Sequence, residues 1–268
     1  MKTPIEAFAP AKINLTLHVT GQRADGYHLL DSLVVFADLG DRLTLTPGPK
    51  MSMGITGPFA DGVPCDARNL AWRAAELADW TGHIALDKQL PHGAGIGGGS
   101  SDAGAVLRAL GSNADALQLG ADVPVCRLAR ASRMSGIGEE LAPIEFGEEI
   151  GAILVNPGVH VPTPAMFKAL ESKQNPAMPD IPTQGGLGKL MHWLDQQRND
   201  LQVPAISAQP VMGQVLSALD ATNPYLSRMS GSGATCFALY ESPESAKFHA
   251  AQLQDLHPAW WVRATLLR

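Results

Sequence analysis

Residues 91–104 read PHGAGIGGGSSDAG, with five glycines between positions 93 and 99 and two serines directly behind them. Glycine loses more conformational freedom on ordering than any other residue, so a stretch this rich in it calls for a use of bare backbone. Without Cβ atoms, successive N–H groups close on an anion and adopt positive φ where needed. A helix opening at the serines adds roughly half an elementary charge and four unpaired donors. Together these make a phosphate cradle. Three uses are open to Ser100 and Ser101: capping the helix, contacting phosphate oxygens, or reaching a bound Mg²⁺. Asp102 is expected in the first helical turn.

The cradle is of an unusual kind. The pattern G-x-x-x-x-G-K-[ST] is absent, because no lysine follows the glycines. Gly93, Gly95 and Gly98 do fit G-x-G-x-x-G, with Asp115 or Asp122 about twenty residues further on, as a dinucleotide fold requires. That fingerprint ordinarily closes the first strand of its unit, however, and here four strands and a helix come first.

Upstream, Ile13, Leu15, Leu17 and Val19 alternate with Lys12, Asn14, Thr16 and His18, the period of a half-buried strand with Lys12 and Asn14 on its polar face. LLDSLVVFADL, RLTLTPG and MSMGITG read as further strands. Leu70, Ala74, Leu77 and Ala78 fall at helical spacing, with Asp66 as the expected N-cap. Downstream, GAILVNPG is a buried strand, followed by helices near 164–171, 186–196 and 210–220. Strands near 226–230 and 234–240, a helix near 243–255 and a last strand, WVRATLL, complete the chain. The reading is α+β in two parts, 1–150 and 151–268, with the boundary sought in 143–158.

Composition bounds the rest. The 268 residues are 45% hydrophobic and 17% charged, which suits a globular protein with a substantial core. A formal charge of -6 offers no general attraction for nucleic acid or an acidic membrane, so an anionic substrate needs a local site. Cys65, Cys126 and Cys236 suggest neither a disulfide framework nor a zinc site. MKTPIEAFAPAKINL lacks the pattern of a signal peptide, and no apolar run is long enough to span a membrane; a cytoplasmic location is expected.

Three ordered segments, PAKINL at 10–15, PHGAGIGGGSSDA at 91–103 and SGSGATCFAL at 230–239, resemble the motifs of the GHMP kinases, small-molecule kinases with a glycine-rich ATP loop. GQRADGYHLLDSL at 21–33, GADVPV at 120–125, NPGVHVPTPAMFKAL at 156–170 and RNDL at 198–201 are similar to the branch that phosphorylates 4-diphosphocytidyl-2-C-methyl-D-erythritol on the non-mevalonate route to isoprenoids. The resemblance implies an N-terminal domain like the second domain of ribosomal protein S5 and a ferredoxin-like C-terminal domain. It implies ATP as phosphoryl donor, with Mg²⁺ arriving on the nucleotide.

It also implies roles. The ATP loop comprises Pro91, His92, Gly93, Ala94, Gly95, Ile96, Gly97, Gly98, Gly99, Ser100 and Ser101. Asp122 takes the proton of the substrate hydroxyl and Lys12 is its charged neighbour. A carboxylate held by an ammonium is a weak base toward an alcohol, so Asp122 is expected to orient the hydroxyl first and accept its proton late. Asn14 and Thr163 are implied substrate contacts, as are Tyr27 and His28, a stacking face and a hydrogen-bonding edge for cytosine. Gly231 and Gly233 let backbone close near the phosphates, and the RND segment is a packing element. One departure stands out: only GSNADALQ separates the helix ending near Leu110 from LGADVP, where the family fits a longer segment. With the motifs intact, this reads as a trimmed loop.

Overall fold

In chain order the elements are β1 (Ile5–Asn14), β2 (His18–Gln22), β3 (His28–Pro47), β4 (Ser52–Thr56), α1 (Leu70–Leu77), β5 (Gly82–Asp87) and α2 (Gly98–Ala109). A short 3-10 helix (Ala116–Leu119) leads to α3 (Val123–Leu128), β6 (Ser132–Gly136), β7 (Glu140–Pro143) and β8 (Ile150–Asn156). Then come α4 (Thr163–Lys168), α5 (Gly186–Asp195), α6 (Gln202–Ala208), α7 (Val211–Asp220), β9 (Leu226–Met229), β10 (Cys236–Tyr240), α8 (Pro243–Leu256) and β11 (Trp261–Leu267). This computed structural model describes residues 3–145, 148–182 and 184–268, so part of the segment 143–158, where a boundary was sought, lies outside the described residues. Among the described residues no helix is long and apolar enough to cross a membrane.

The chain gathers into two compact units interleaved along the sequence. The first holds the residues up to Lys12, Leu39–His92 and Gly97–Arg130; the second holds Ile13–Asp38, Gly93–Ile96 and Ala131–Arg268.

In the first unit, β5 lies between parallel β4 and the antiparallel C-terminal half of β3, with Leu43 opposite Leu86 and Leu45 opposite Ile84. These four side chains are fully buried with Ala71, Ala74, Val106, Leu107 and Val123 from the helices. Each such Leu or Ile contributes about 1.5–3 kcal/mol by leaving water, enough for this small core to hold the α2 end in place. Helix α1 starts where its periodicity predicts, but its N-cap is Asn69, whose side chain accepts from the Ala71 N–H. Asp66 instead turns to the backbone and guanidinium of Arg68. Both residues are good cap formers, and the local arginine captured the first.

In the second unit, the N-terminal half of β3 pairs with β2 on one side and β6 on the other, and β7 extends the sheet beside β6. Ala37 of β3 meets Leu267 of β11, and the antiparallel order continues through β8 and β10 to β9. Helices α7 and α8 pack on this sheet around Ile153, Val155, Met212, Val215, Leu219 and Leu253. Ser242 caps α8 by accepting from the Ser245 N–H, and Pro243 fills the first helical position, where its missing donor does no harm. The cysteines are free, Cys126 and Cys236 buried and Cys65 exposed.

Candidate active site

Period two in residues 12–19 predicts one wet and one dry strand face. Instead every residue from Ala9 to Val19 is buried, the pattern of a strand covered on both sides. Lys12 is therefore interior, 4% exposed, and its ammonium stands 2.7 Å from Asp122 Oδ1. Asp122 closes the loop ahead of α3, whose Pro124 occupies the first turn. Its carboxylate makes no cap bond to that helix and its side chain stays 41% exposed.

The glycine loop reaches the same pair. Gly97 is the N-cap of α2 and lies at φ +67°, the left-handed region. A Cβ there would come within 3.1 Å of Lys12 Cβ. Helix α2 thus begins at Gly98, two residues ahead of the serines, and a left-handed glycine rather than a serine cap starts it. Its first internal bond is Ser101 N–H to Gly97 C=O, which leaves the N–H groups of Gly98, Gly99 and Ser100 at the open end.

Two expectations for this end need correction. Ser101 is fully buried and its hydroxyl donates to the Pro10 carbonyl at 2.5 Å, so both its donors serve the fold. Asp102 lies past the first turn, buried, with Oδ2 accepting from Lys88 at 2.8 Å. Lys88 also donates to Asp41, which in turn accepts from the Gln89 and Leu90 N–H groups. Burial opposes the Lys88 ammonium, but the two carboxylates outweigh it and raise its pKa. Burial likewise pushes Asp102 up against the pull of Lys88. Sequence reading missed this buried trio because its members are far apart in the chain. The ammonium would lie 3.5 Å from a Gly98 Cβ, so a lysine stands behind the loop although none lies within it.

The shortened segment is tied down. Arg127 donates to the carbonyls of Ser112 and Ala114, Arg108 to those of Phe8 and Cys126, and Asp115 caps the 3-10 helix through the Leu117 N–H. His92, exposed, meets Phe59 edge-on at 6.4 Å, and Pro91 beside it is buried.

In the second unit, Asn14 donates its backbone N–H to Ser230 Oγ at 3.1 Å, and Ser230 Oγ donates to the Gly95 carbonyl at 2.9 Å. Gly95 lies at φ +71°, and a Cβ on it would stand 2.4 Å from the Ser230 carbonyl oxygen. Ala94 and Ile96 on either side are buried, whereas Gly93 is exposed. Asn199 clasps the same turn, donating to the carbonyls of Met229 and Gly231. Thr163, first residue of α4, shares a 2.7 Å hydrogen bond with Ser232. RND is indeed a packing element: Arg198 pairs with Asp200 at 2.6 Å, and Asp200 accepts from the Val19 N–H.

Tyr27 is 58% exposed. His28 stacks on Phe167 with ring centroids 4.5 Å apart, and its Nε2 is buried without a partner. Burial, then the Lys173 charge, lowers the His28 pKa, which keeps the ring neutral. Phe167 carried no signal of its own in the sequence.

An ion pair, a left-handed glycine pressed on its lysine and an open helix end lie together in the first unit, and no P-loop is among them. Residues 69–140 match the family described as GHMP kinases N terminal domain, and residues 166–259 match that described as GHMP kinases C terminal. The chain is thus a small-molecule kinase of the mixed α+β, two-domain GHMP fold. It is 54% identical to a 4-diphosphocytidyl-2-C-methyl-D-erythritol kinase of Dinoroseobacter shibae, over 99% of this chain and 96% of that protein. It is 52% identical to the enzyme of the same name from Paracoccus denitrificans, over 96% and 94% of the two chains. A crystal structure of 4-(cytidine 5'-diphospho)-2C-methyl-D-erythritol kinase superposes with a TM-score of 0.79 at 35% identity, covering 98% of each chain. The chain belongs to the 4-diphosphocytidyl-2-C-methyl-D-erythritol kinase family.

Proposed function

We propose that this chain transfers the γ-phosphoryl group of ATP to the 2-hydroxyl of 4-diphosphocytidyl-2-C-methyl-D-erythritol. The products are the 2-phosphate and ADP, and the step belongs to cytoplasmic, non-mevalonate isoprenoid precursor synthesis. The observation that carries the reading is the contact of the loop with the ion pair: Gly97 backs on Lys12, and Lys12 holds Asp122 at 2.7 Å. Phosphoryl transfer through a loose transition state asks a protein mainly for positioning and charge. Asp122, exposed enough to meet a substrate, orients the hydroxyl and takes its proton late. Lys12 offsets charge on the transferring group, and the N–H groups of Gly98, Gly99 and Ser100 hold phosphate oxygens.

Among the described residues no three His, Cys, Asp or Glu side chains cluster as a metal cage. Mg²⁺ carried on nucleotide phosphates would need few protein ligands, and half-buried Ser100 and Asp122 are oxygen donors that would hold it. The ion supplies neutralisation of phosphate charge. Residues 1–150 and 151–268 serve as the N- and C-terminal kinase domains in this reading, and the two family matches fall on either side of that division.

In the second unit, Tyr27 offers an exposed face for cytosine and His28 an unpartnered nitrogen for its edge, while Asn14 and Thr163 meet the rest of the substrate. A site built on a hydrogen-bonded base rejects the wrong base by up to ~10⁴, because its own polar groups are left unpaired. ADP formation should be fast with the cytidine compound and slow with its uridine analogue and with free methylerythritol 4-phosphate. Tyr27→Ala and His28→Ala should erode that preference with little change in the KM for ATP. Equal rates on the cytidine and uridine compounds would favour another GHMP-type kinase, acting on an alcohol such as homoserine or mevalonate.

A further inference from the structure

Between β1 and β2 the backbone ladder to β3 breaks, and side chains bridge the gap. Leu15 N–H reaches the Leu33 carbonyl at 2.8 Å, but the Leu33 N–H turns to Thr16 Oγ1, also at 2.8 Å. The Thr16 carbonyl is taken by the Ser32 hydroxyl at 2.5 Å. A serine hydroxyl has one proton and two lone pairs. Ser32, fully buried, commits its proton to Thr16 and can only accept from its other neighbour, Asn14 Nδ2, at 2.7 Å.

That fixes the Asn14 amide. Turned over, its oxygen would face a serine oxygen with no proton between them, and Nδ2 would lose its bond to Ser32. In the observed orientation Oδ1 is buried, has no partner, and lies 3.4 Å from the position of a Gly231 Cβ. Leaving a buried acceptor unmade costs about 1–3 kcal/mol, so such an atom is a place for a ligand's donor.

We propose that Ser32 is a specificity-determining positioning residue: it locks the Asn14 amide with its oxygen toward the Gly231 turn, so that this position accepts a hydroxyl of the alcohol substrate and excludes a carbonyl or ether oxygen. The inference rests on the kinase reading above for the identity of the donor. It does not rest on it for the orientation of the amide.

The test is a double-mutant cycle with an independent structural readout. Ser32→Ala frees the amide to turn, and should raise the KM for the alcohol about tenfold, with kcat and the KM for ATP each moving less than about threefold. Ser32→Thr keeps the hydroxyl and should restore most of the loss. In an Asn14→Asp background both ends of the side chain accept, orientation no longer matters, and adding Ser32→Ala should change KM by no more than about twofold. An equal fold-loss in both backgrounds would overturn the proposal and leave Ser32 a mere bridge in the strand gap. In the ligand-free protein, nuclear Overhauser contacts should join the Asn14 side-chain NH₂ to the Ser32 β-protons, and their absence would overturn the proposal too. A protein that phosphorylated none of the candidate alcohols would defeat the kinase reading, while the Overhauser measurement would still decide the orientation.

Discussion

Lys12 and Asp122 touch at 2.7 Å yet inhabit different surroundings, the lysine side chain 5% exposed and the aspartate 41%. The buried partner is fixed by β1, and the open one can meet a substrate. Asp122→Asn keeps the shape and removes the charge that a transition state uses. It should lower kcat by roughly 10²–10⁴ while the KM for the alcohol changes severalfold at most. Lys12→Ala should lower kcat by a similar order. Steady-state kinetics with a coupled ADP assay decides it: near-normal turnover in the Asn variant would remove Asp122 from the chemistry.

The loop glycines separate into two kinds. Gly97 has left-handed backbone and a neighbour at 3.1 Å, so Gly97→Val should lower both stability and ATP affinity, the backbone strain alone costing about 1–2 kcal/mol. A Cβ on Gly98 meets only ordinary contacts, the nearest at 3.5 Å, so it tests the cradle alone. Gly98→Ala should raise the KM for ATP at least about tenfold with the melting temperature essentially unchanged. Normal ATP affinity in that variant would make the stretch a simple connector.

Lys88 stands between two buried carboxylates, and removing it leaves their charges uncompensated. Lys88→Met should destabilise by about 3–5 kcal/mol. Adding Asp41→Asn and Asp102→Asn should recover much of that loss, because the three act as one group. Chemical denaturation of the single and triple variants measures it; additive losses would contradict the coupling.

His18 gives the stability a pH dependence. The ring is buried, with Nδ1 at 3.3 Å from the Pro176 carbonyl and Nε2 accepting the Arg198 N–H, an arrangement that needs the neutral form. Burial first, then the Arg198 charge, holds its pKa below the ordinary 6.5. The unfolded chain therefore binds the proton more readily. The contribution is fully present above about pH 6.5 and is lost as pH falls through the depressed folded value. Melting curves between pH 5 and 8 should show this slope, and His18→Gln should flatten it.

The glycine loop of the candidate site was legible because its residues are close in sequence and unusual in kind, whereas Lys12, Asp122, Tyr27 and His28 could be singled out only through the family resemblance. Five glycines before a helix leave few readings, and apart from α6 the strands and helices of residues 150–267 follow their hydrophobic periods closely. The six-residue α3 and seven-residue α6, each holding a proline, offer too few turns to display a period. The burial of Lys12 was hidden because alternation reports one strand and not what covers its second face. Asp102 was misplaced because α2, capped by a left-handed glycine, begins two residues before the serines. Its partnership was hidden because Lys88, just past β5, and Asp41, within β3, lie 14 and 61 residues away in the sequence. Ser32 and Phe167 are ordinary residues whose importance comes only from what folding sets beside them.

Arg127 grips the segment ahead of Asp122 by the carbonyls of Ser112 and Ala114, groups that every amino acid possesses. The restraint is blind to side-chain identity. Substitutions at the carbonyl-gripped positions need not disturb this hold on the segment, whereas Asp115, which caps the 3-10 helix, and Ala116, buried in the core of the first unit, remain constrained by their side chains.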